Sequence, residues 1–190
     1  MRYFPLLLFA LAAQFSYSQK DPEMNVIYGD KHVFTINTPS GWVNDKKVAI
    51  SIGLASYFYA QADARKEPKS YIYAMGYDKD KWNKNLRSFV NADIATFDNK
   101  YPNLTYCIAK MGRPAGIIDA TMITFSNLTD RYRDEVVYME TDFSILIFVL
   151  STFSKGDYIN YQPVFEQLMS TFLYCGSDPK SFFEKLGKKN

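Results

Sequence analysis

Phe143-Ser144-Ile145-Leu146-Ile147-Phe148-Val149-Leu150 is the stretch on which the fold of this chain turns. Successive side chains of a strand point to opposite faces, and here both parities are apolar. A strand of this kind has to be covered on both sides. Its 8 residues are far short of the roughly 20 that a membrane-spanning helix needs. Residues 143–153 therefore read as a central strand, with other elements packed on each of its faces.

Outward from that strand, residues 104–110, 116–125 and 134–141 read as further strands. Their turns are 111–115, with Gly112 and Pro114, and 127–133. In residues 70–77, Tyr71, Tyr73, Met75 and Tyr77 alternate with Ser70, Ile72, Ala74 and Gly76, so one face of that strand is large and the other small. Residues 33–36, 48–52 and 54–59 also read as strand, with Gly53 as a bend. A helix over 81–97 is marked by Trp82, Leu86, Phe89, Val90, Ile94 and Phe97 on one stripe, with Asp78 or Asp80 as its N-cap. A second helix is predicted over 163–174, where Pro163 fits a first turn and Gly176 a C-terminal stop. Strands, a helix, four strands and a helix favour an antiparallel sheet flanked by helices, an α/β/α sandwich of the α+β class.

The segment Phe34-Thr35-Ile36-Asn37-Thr38-Pro39-Ser40-Gly41-Trp42 resembles the F-x-I-x-x-P-x-G-W opening strand of PsbP-like domains. Tyr138 before an apolar strand, then Asp157-Tyr158, Pro163-Val164-Phe165 and Ser170-Thr171-Phe172 follow in the same order. The resemblance covers most of residues 30–175. It implies an antiparallel sheet flanked by helices and, for function, a non-catalytic accessory or assembly role. The family includes the extrinsic photosystem II subunit, a nuclear Ran-binding factor and many exported bacterial proteins. It transfers no binding residue to this chain.

Residues 1–18 have the layout of a secretory signal: Arg2, an apolar run from Tyr3 to Ala13, and small residues Ser16 and Ser18 around a cleavage site before Gln19. The expected organisation is a signal peptide at 1–18, a polar leader at 19–29, one PsbP-like domain at 30–176 and a basic tail at 177–190. The expected product is periplasmic or secreted, soluble and without a membrane span. Arg2 leaves with the signal, so the formal net charge of +2 becomes +1. That is too little positive charge for a nucleic-acid binder, whose affinity comes mostly from phosphate contacts. Cys107 and Cys175, 68 positions apart, exclude a CxxC redox pair. In an oxidising compartment they are expected to form a disulfide, worth about 4 kcal/mol in the chain-entropy account.

No catalytic set is predicted, and no cofactor. His32 is the sole histidine and sits in the charged segment Asp30-Lys31-His32, where it reads as solvated. Any Ser-His-Asp or Cys-His arrangement would have to use it, and a multi-histidine metal site is impossible. Ser177-Asp178-Pro179-Lys180 matches S-x-x-K formally, but in a tail it reads as a turn or cap. Asp93 falls within the apolar stripe of the first helix, where a carboxylate must be paired or protonated; Asp119 is a weaker case of the same kind. Asp130-Arg131-Tyr132-Arg133-Asp134-Glu135 reads as a solvated turn, and Asn103-Leu104-Thr105 and Asn127-Leu128-Thr129 fit the glycosylation acceptor.

The chain has 15 Tyr, 15 Phe and 2 Trp; a sheet-rich core accounts for most of them, and an aromatic binding cleft is the alternative use. Two functions follow. The first is an exported, non-enzymatic accessory protein that engages an envelope protein partner. The alternative is a small-ligand binder or weak hydrolase with a pocket lined by Tyr57, Tyr59, Tyr71, Tyr73 and Tyr77. The signal reading predicts that the chain secreted from a bacterial host has an intact mass beginning at Gln19; an exported product that keeps Met1 contradicts it.

Overall fold

The computed structural model describes residues 22–64, 68–80 and 84–188. In chain order they form β1 (Met24–Tyr28), β2 (Val33–Asn37), β3 (Trp42–Asn44), α1 (Lys46–Ser51), β4 (Ser56–Ala60), β5 (Tyr71–Asp78) and α2 (Leu86–Lys100). Then follow β6 (Thr105–Lys110), β7 (Asp119–Ser126), β8 (Arg133–Glu140), β9 (Ser144–Thr152), α3 (Lys155–Ser170), β10 (Leu173–Gly176) and α4 (Pro179–Gly187). A seven-stranded sheet has the order β3-β4-β5-β9-β8-β7-β6, and a second sheet the order β1-β2-β10. Every pairing in both is antiparallel. The strand apolar on both parities, β9, is the middle one of the seven, and every one of its residues is buried.

Its alternation sorts the two cores. Leu146, Phe148 and Leu150 face Phe34 and Ile36 of β2 and Phe165 and Leu168 of α3. The ring of Phe148 meets those of Phe34 and Phe172 edge-on, each at 5.4 Å. Ile145, Ile147 and Val149 face the other way, into a core closed by Leu86 and Val90 of α2. There Phe97 stacks on Phe125 at 4.2 Å with an interplanar angle of 7°. Each fully buried side chain of this size contributes about 1.5–3 kcal/mol by leaving water. The expected antiparallel sheet between helices is therefore present, but one outer layer is composite: α3 shares it with the three-stranded sheet.

Local interactions explain where the elements depart from expectation. Residues 48–51 are helix and not strand, with Ile52 as the C-cap, because Asp45 caps α1 by accepting from the Lys47 and Val48 amides at 3.1 and 3.0 Å. The first long helix begins at Leu86; its cap is Asn85, in a reciprocal capping box with Ser88, and Asp78 belongs to β5. Trp82 lies outside the described residues. The second begins at Lys155 under a Ser154 cap, so Pro163 is interior. A proline there forgoes one backbone hydrogen bond, and the burial of Phe165 and Leu168 compensates. The predicted end of that helix is instead β10, paired with β2 through Leu173↔Thr35 and Tyr174↔Phe34. Part of the leader is β1, an ordered edge strand on β2, and the tail carries α4, capped by Asp178.

His32 is not solvated. It is 3% exposed, enclosed where the β1–β2 turn folds over β5. A Cβ on Gly29 would lie 2.3 Å from His32 Cε1, and one on Gly76 would lie 2.3 Å from His32 Nε2. The imidazole thus fills a slot that exists only because both positions lack a side chain. Gly76→Ala is expected to destabilise the protein by about 1–3 kcal/mol in urea unfolding, and His32→Ala in the same chain should remove most of that increment. An equal cost in both backgrounds would refute the steric slot.

Candidate functional site: a tyrosine-lined cleft

Strands β4 and β5 pair with Tyr57 opposite Tyr73, so their odd-numbered side chains stand on the sheet face that also carries α1 and α2. Tyr57 tilts against Tyr59 at 6.0 Å and against Tyr71 at 5.0 Å, and Tyr71 against Tyr73 at 6.3 Å. The six-residue α1 covers only part of this row. Beside it opens a cleft of about 780 Å³, floored by Tyr57, Tyr59 and Tyr71 and lined as well by Val48, Ile52, Pro68 and Lys69. Phe153, just past β9, closes one end. Of the five tyrosines predicted here, three meet in the cleft. Tyr73 lies in the α2 core, and Tyr77 packs on Phe89 at 5.5 Å.

The cleft's acid is satisfied from within. Asp45 Oδ1 accepts the amides of Val48 and Lys47, and Oδ2 accepts the Tyr59 hydroxyl at 3.2 Å. The Val48 amide contributes most to holding the Asp45 carboxyl below the usual carboxylate range. Burial, reinforced by Asp45, pushes the Tyr59 phenol up. Lys69 is exposed and has no ion-pair partner among the described residues. Asp45, Lys69, Pro68 and Phe153 were not singled out in the sequence, because loops and a short helix bring them to the tyrosines and no periodicity marks them.

Deeper on the same face lies an acid–tyrosine cluster. Asp93, on α2, accepts a hydrogen bond from the hydroxyl of Tyr138 on β8. Burial pushes the Asp93 carboxyl up and the Tyr138 bond opposes it; burial also pushes up the phenols of Tyr138 and Tyr73. The 130–135 segment is not a solvated turn. Arg131 reaches Asp134 at 3.3 Å, Asp130 at 3.1 Å and the Tyr101 hydroxyl at 2.8 Å. Asp134 is 2% exposed, and burial raises its carboxyl against the pull of Arg131.

Most of the other residues singled out in the sequence lie elsewhere among the described residues. His32 Nδ1 lies 3.0 Å from Asp78 Oδ1, and the Ser144 hydroxyl donates to that same oxygen at 2.9 Å. Nucleophilic catalysis needs the imidazole between serine and carboxylate; here the carboxylate is in the middle. Burial raises the Asp78 carboxyl, but the bonds from His32 and Ser144 outweigh it and hold it low. Ser177 precedes the Asp178 cap of α4 and lies outside the helix that carries Lys180. Asp119 is exposed on β7 and accepts the next amide, that of Ala120. Cys107 is exposed on β6 and Cys175 is in β10 of the other sheet; both are free thiols. Ser18 and Gln19 lie outside the described residues.

On the opposite face, the Phe34–Trp42 segment edges a second cleft of about 620 Å³, lined by Trp42, Asn37, Asn44, Gln61 and Gln167. Among the described residues no helix is long and apolar enough to cross a membrane.

No protein-family model and no curated protein matches the sequence. Among solved structures, the chain is similar to cyanobacterial PsbP (CyanoP) from Synechocystis sp. PCC 6803 in solution. The two share 12% identity over 82% of this chain and 95% of that one, with a TM-score of 0.54. The chain thus has a PsbP-like fold.

The Asp93 environment makes a signed prediction. A carboxyl raised by burial supplies stability that is complete below its unfolded pKa, about 3.9, and is lost as pH rises through the higher folded value. Asp93→Asn cannot ionise, so the melting temperature of the variant minus that of the parent should increase from pH 4 to pH 8. A difference that stays flat across this range would dismiss a buried, titrating Asp93.

Proposed function

We propose that this chain is an exported, non-enzymatic accessory protein that engages a protein partner in the cell envelope. The single observation that carries this reading is the apolar rim of the tyrosine cleft. Val48 on α1, Ile52 at its C-cap and Phe153 line the cleft and are 36%, 55% and 40% exposed. Apolar side chains clustered beside a concave aromatic floor favour docking over solvation. The PsbP-like fold supports an accessory role, and the signal-like residues 1–18 support export.

The cleft volume of about 780 Å³ supports a second reading, a small-ligand site, since it falls within the ~300–1,000 Å³ typical of such sites. The hydrolase form of that reading has no support from His32, which is sealed away from the cleft.

A photo-crosslinking residue at Phe153 is expected to capture a discrete envelope protein in cells. Val48→Glu with Ile52→Glu should abolish capture without lowering the melting temperature. The same species captured from Tyr106, on the β6 edge at the far side of the sheet, would count against the α1 rim as the docking surface.

A further inference from the structure

We propose that the tyrosine cleft takes an amphipathic organic anion, with an apolar body seated on Tyr57 and Tyr71 and an acidic head against Lys69. This rests on the small-ligand reading of the cleft and names its ligand class. The floor is aromatic carbon: the Tyr57 and Tyr71 rings, 5.0 Å apart and tilted by 35°, form a shallow trough, and Val48, Ile52 and Pro68 extend it with aliphatic walls. A flat or aliphatic body gains contact with these surfaces as it displaces water.

The two charged groups of the lining decide the sign of the ligand. An aromatic trough with a carboxylate would ordinarily suit a cation. Asp45, however, is already committed to the Lys47 and Val48 amides and to the Tyr59 hydroxyl, so most of its accepting capacity is used. Lys69 lines the same cleft, exposed and with its ammonium unpaired among the described residues. Of the two lysines at the start of α1, Lys46 shares its charge with Glu23 at 3.4 Å and Lys47 acts on Asp45, which leaves Lys69 as the cleft's own cation. A cation would meet the Lys69 ammonium and find Asp45 occupied.

The test is calorimetric titration of the mature chain with three probes of one shape: 2-naphthoate, neutral 2-naphthol and 2-naphthylmethylammonium, with decanoate as an aliphatic anion. The anions should bind about tenfold tighter than 2-naphthol, and the ammonium probe weakest of all. Lys69→Met should erase the advantage of 2-naphthoate, leave 2-naphthol binding unchanged and melt as the parent does, whereas Tyr71→Leu, which keeps an apolar side chain in the sheet, should weaken all the probes at a temperature where the variant is fully folded. If affinity is independent of charge, if the ammonium probe binds tightest, or if Lys69→Met keeps the anion preference, the proposal is overturned while the cleft stands as a ligand site. If no probe binds, the ligand reading itself falls, and the proposal with it. Tighter binding of decanoate than 2-naphthoate assigns the site to acyl anions, and the reverse to aromatic acids; either supports the anion class.

Discussion

The double burial of β9 is the constraint from which the rest of the structure follows. A strand with apolar side chains on both faces leaves neither face free to meet water, so two separate layers have to assemble around it. One layer is α2; the other joins α3 to the β1-β2-β10 sheet. The polar residues at its two ends are satisfied by neighbours. Ser144 donates to Asp78, and Thr152 donates to the Arg133 carbonyl at 3.0 Å. Buried hydroxyls left without partners would offset much of what the apolar residues gain.

From the centre outward, coverage thins, and the cleft lies where it thins most. β5 pairs with β9 along eight positions, but with β4 along only three, and β3 is itself three residues long. On this side the large layer of α2 has ended, and the six residues of α1 are too few to cover Tyr57, Tyr59 and Tyr71 together. The tyrosines suit such a margin because each can place its ring against apolar neighbours and its hydroxyl toward water or a polar partner. Tyr59 does so with Asp45. A concave aromatic surface at the edge of a rigid sheet is therefore a consequence of how the layers run out.

Much of this was legible in single residues, and the failures share a cause. The both-parity run of β9, the large-and-small alternation of β5 and the apolar stripe of α2 are local periodicities, and all three were read correctly. The tyrosine parity that floors the cleft came from the same signal. By contrast, α1 is too short for a helical period to show, and its Val48, Ile50 and Ile52 mimic strand alternation; only the Asp45 cap separates the two. β10 exists because β2 offers an edge far away in sequence, and no four-residue window contains that information. His32 was read from its charged neighbours, but its burial depends on Gly29 and Gly76 coming together from separate elements. Lys69 and Phe153 reach the cleft in the same non-local way.

The carboxylates fall into two groups of opposite sign, and their placement follows the layers. Asp78 and Asp45 sit at element ends where hydrogen bonds hold them low; such groups stabilise the fold above about pH 3.9 and lose that contribution as acid protonates them. Asp93, Asp134 and Glu135 are set against the sheet, where burial raises them, and their contribution is complete only in acid and declines as pH rises. Asp93 and Asp134 both lie on the face that carries the tyrosines, with Tyr73 close enough that each raises its phenol. Loss of a proton on that face therefore places negative charge among aromatic rings with little water, while loss of a proton at the element ends tightens caps and clamps. The element-end group includes Asp78, which joins the β1–β2 turn, β5 and β9 through His32 and Ser144, while in the buried group Asp134 is met by Arg131, Asp93 by Tyr138 and Glu135 by Tyr158 of α3. Each buried carboxyl is thus matched to a donor from a neighbouring element or turn, so the same contacts that join the layers also hold its charge.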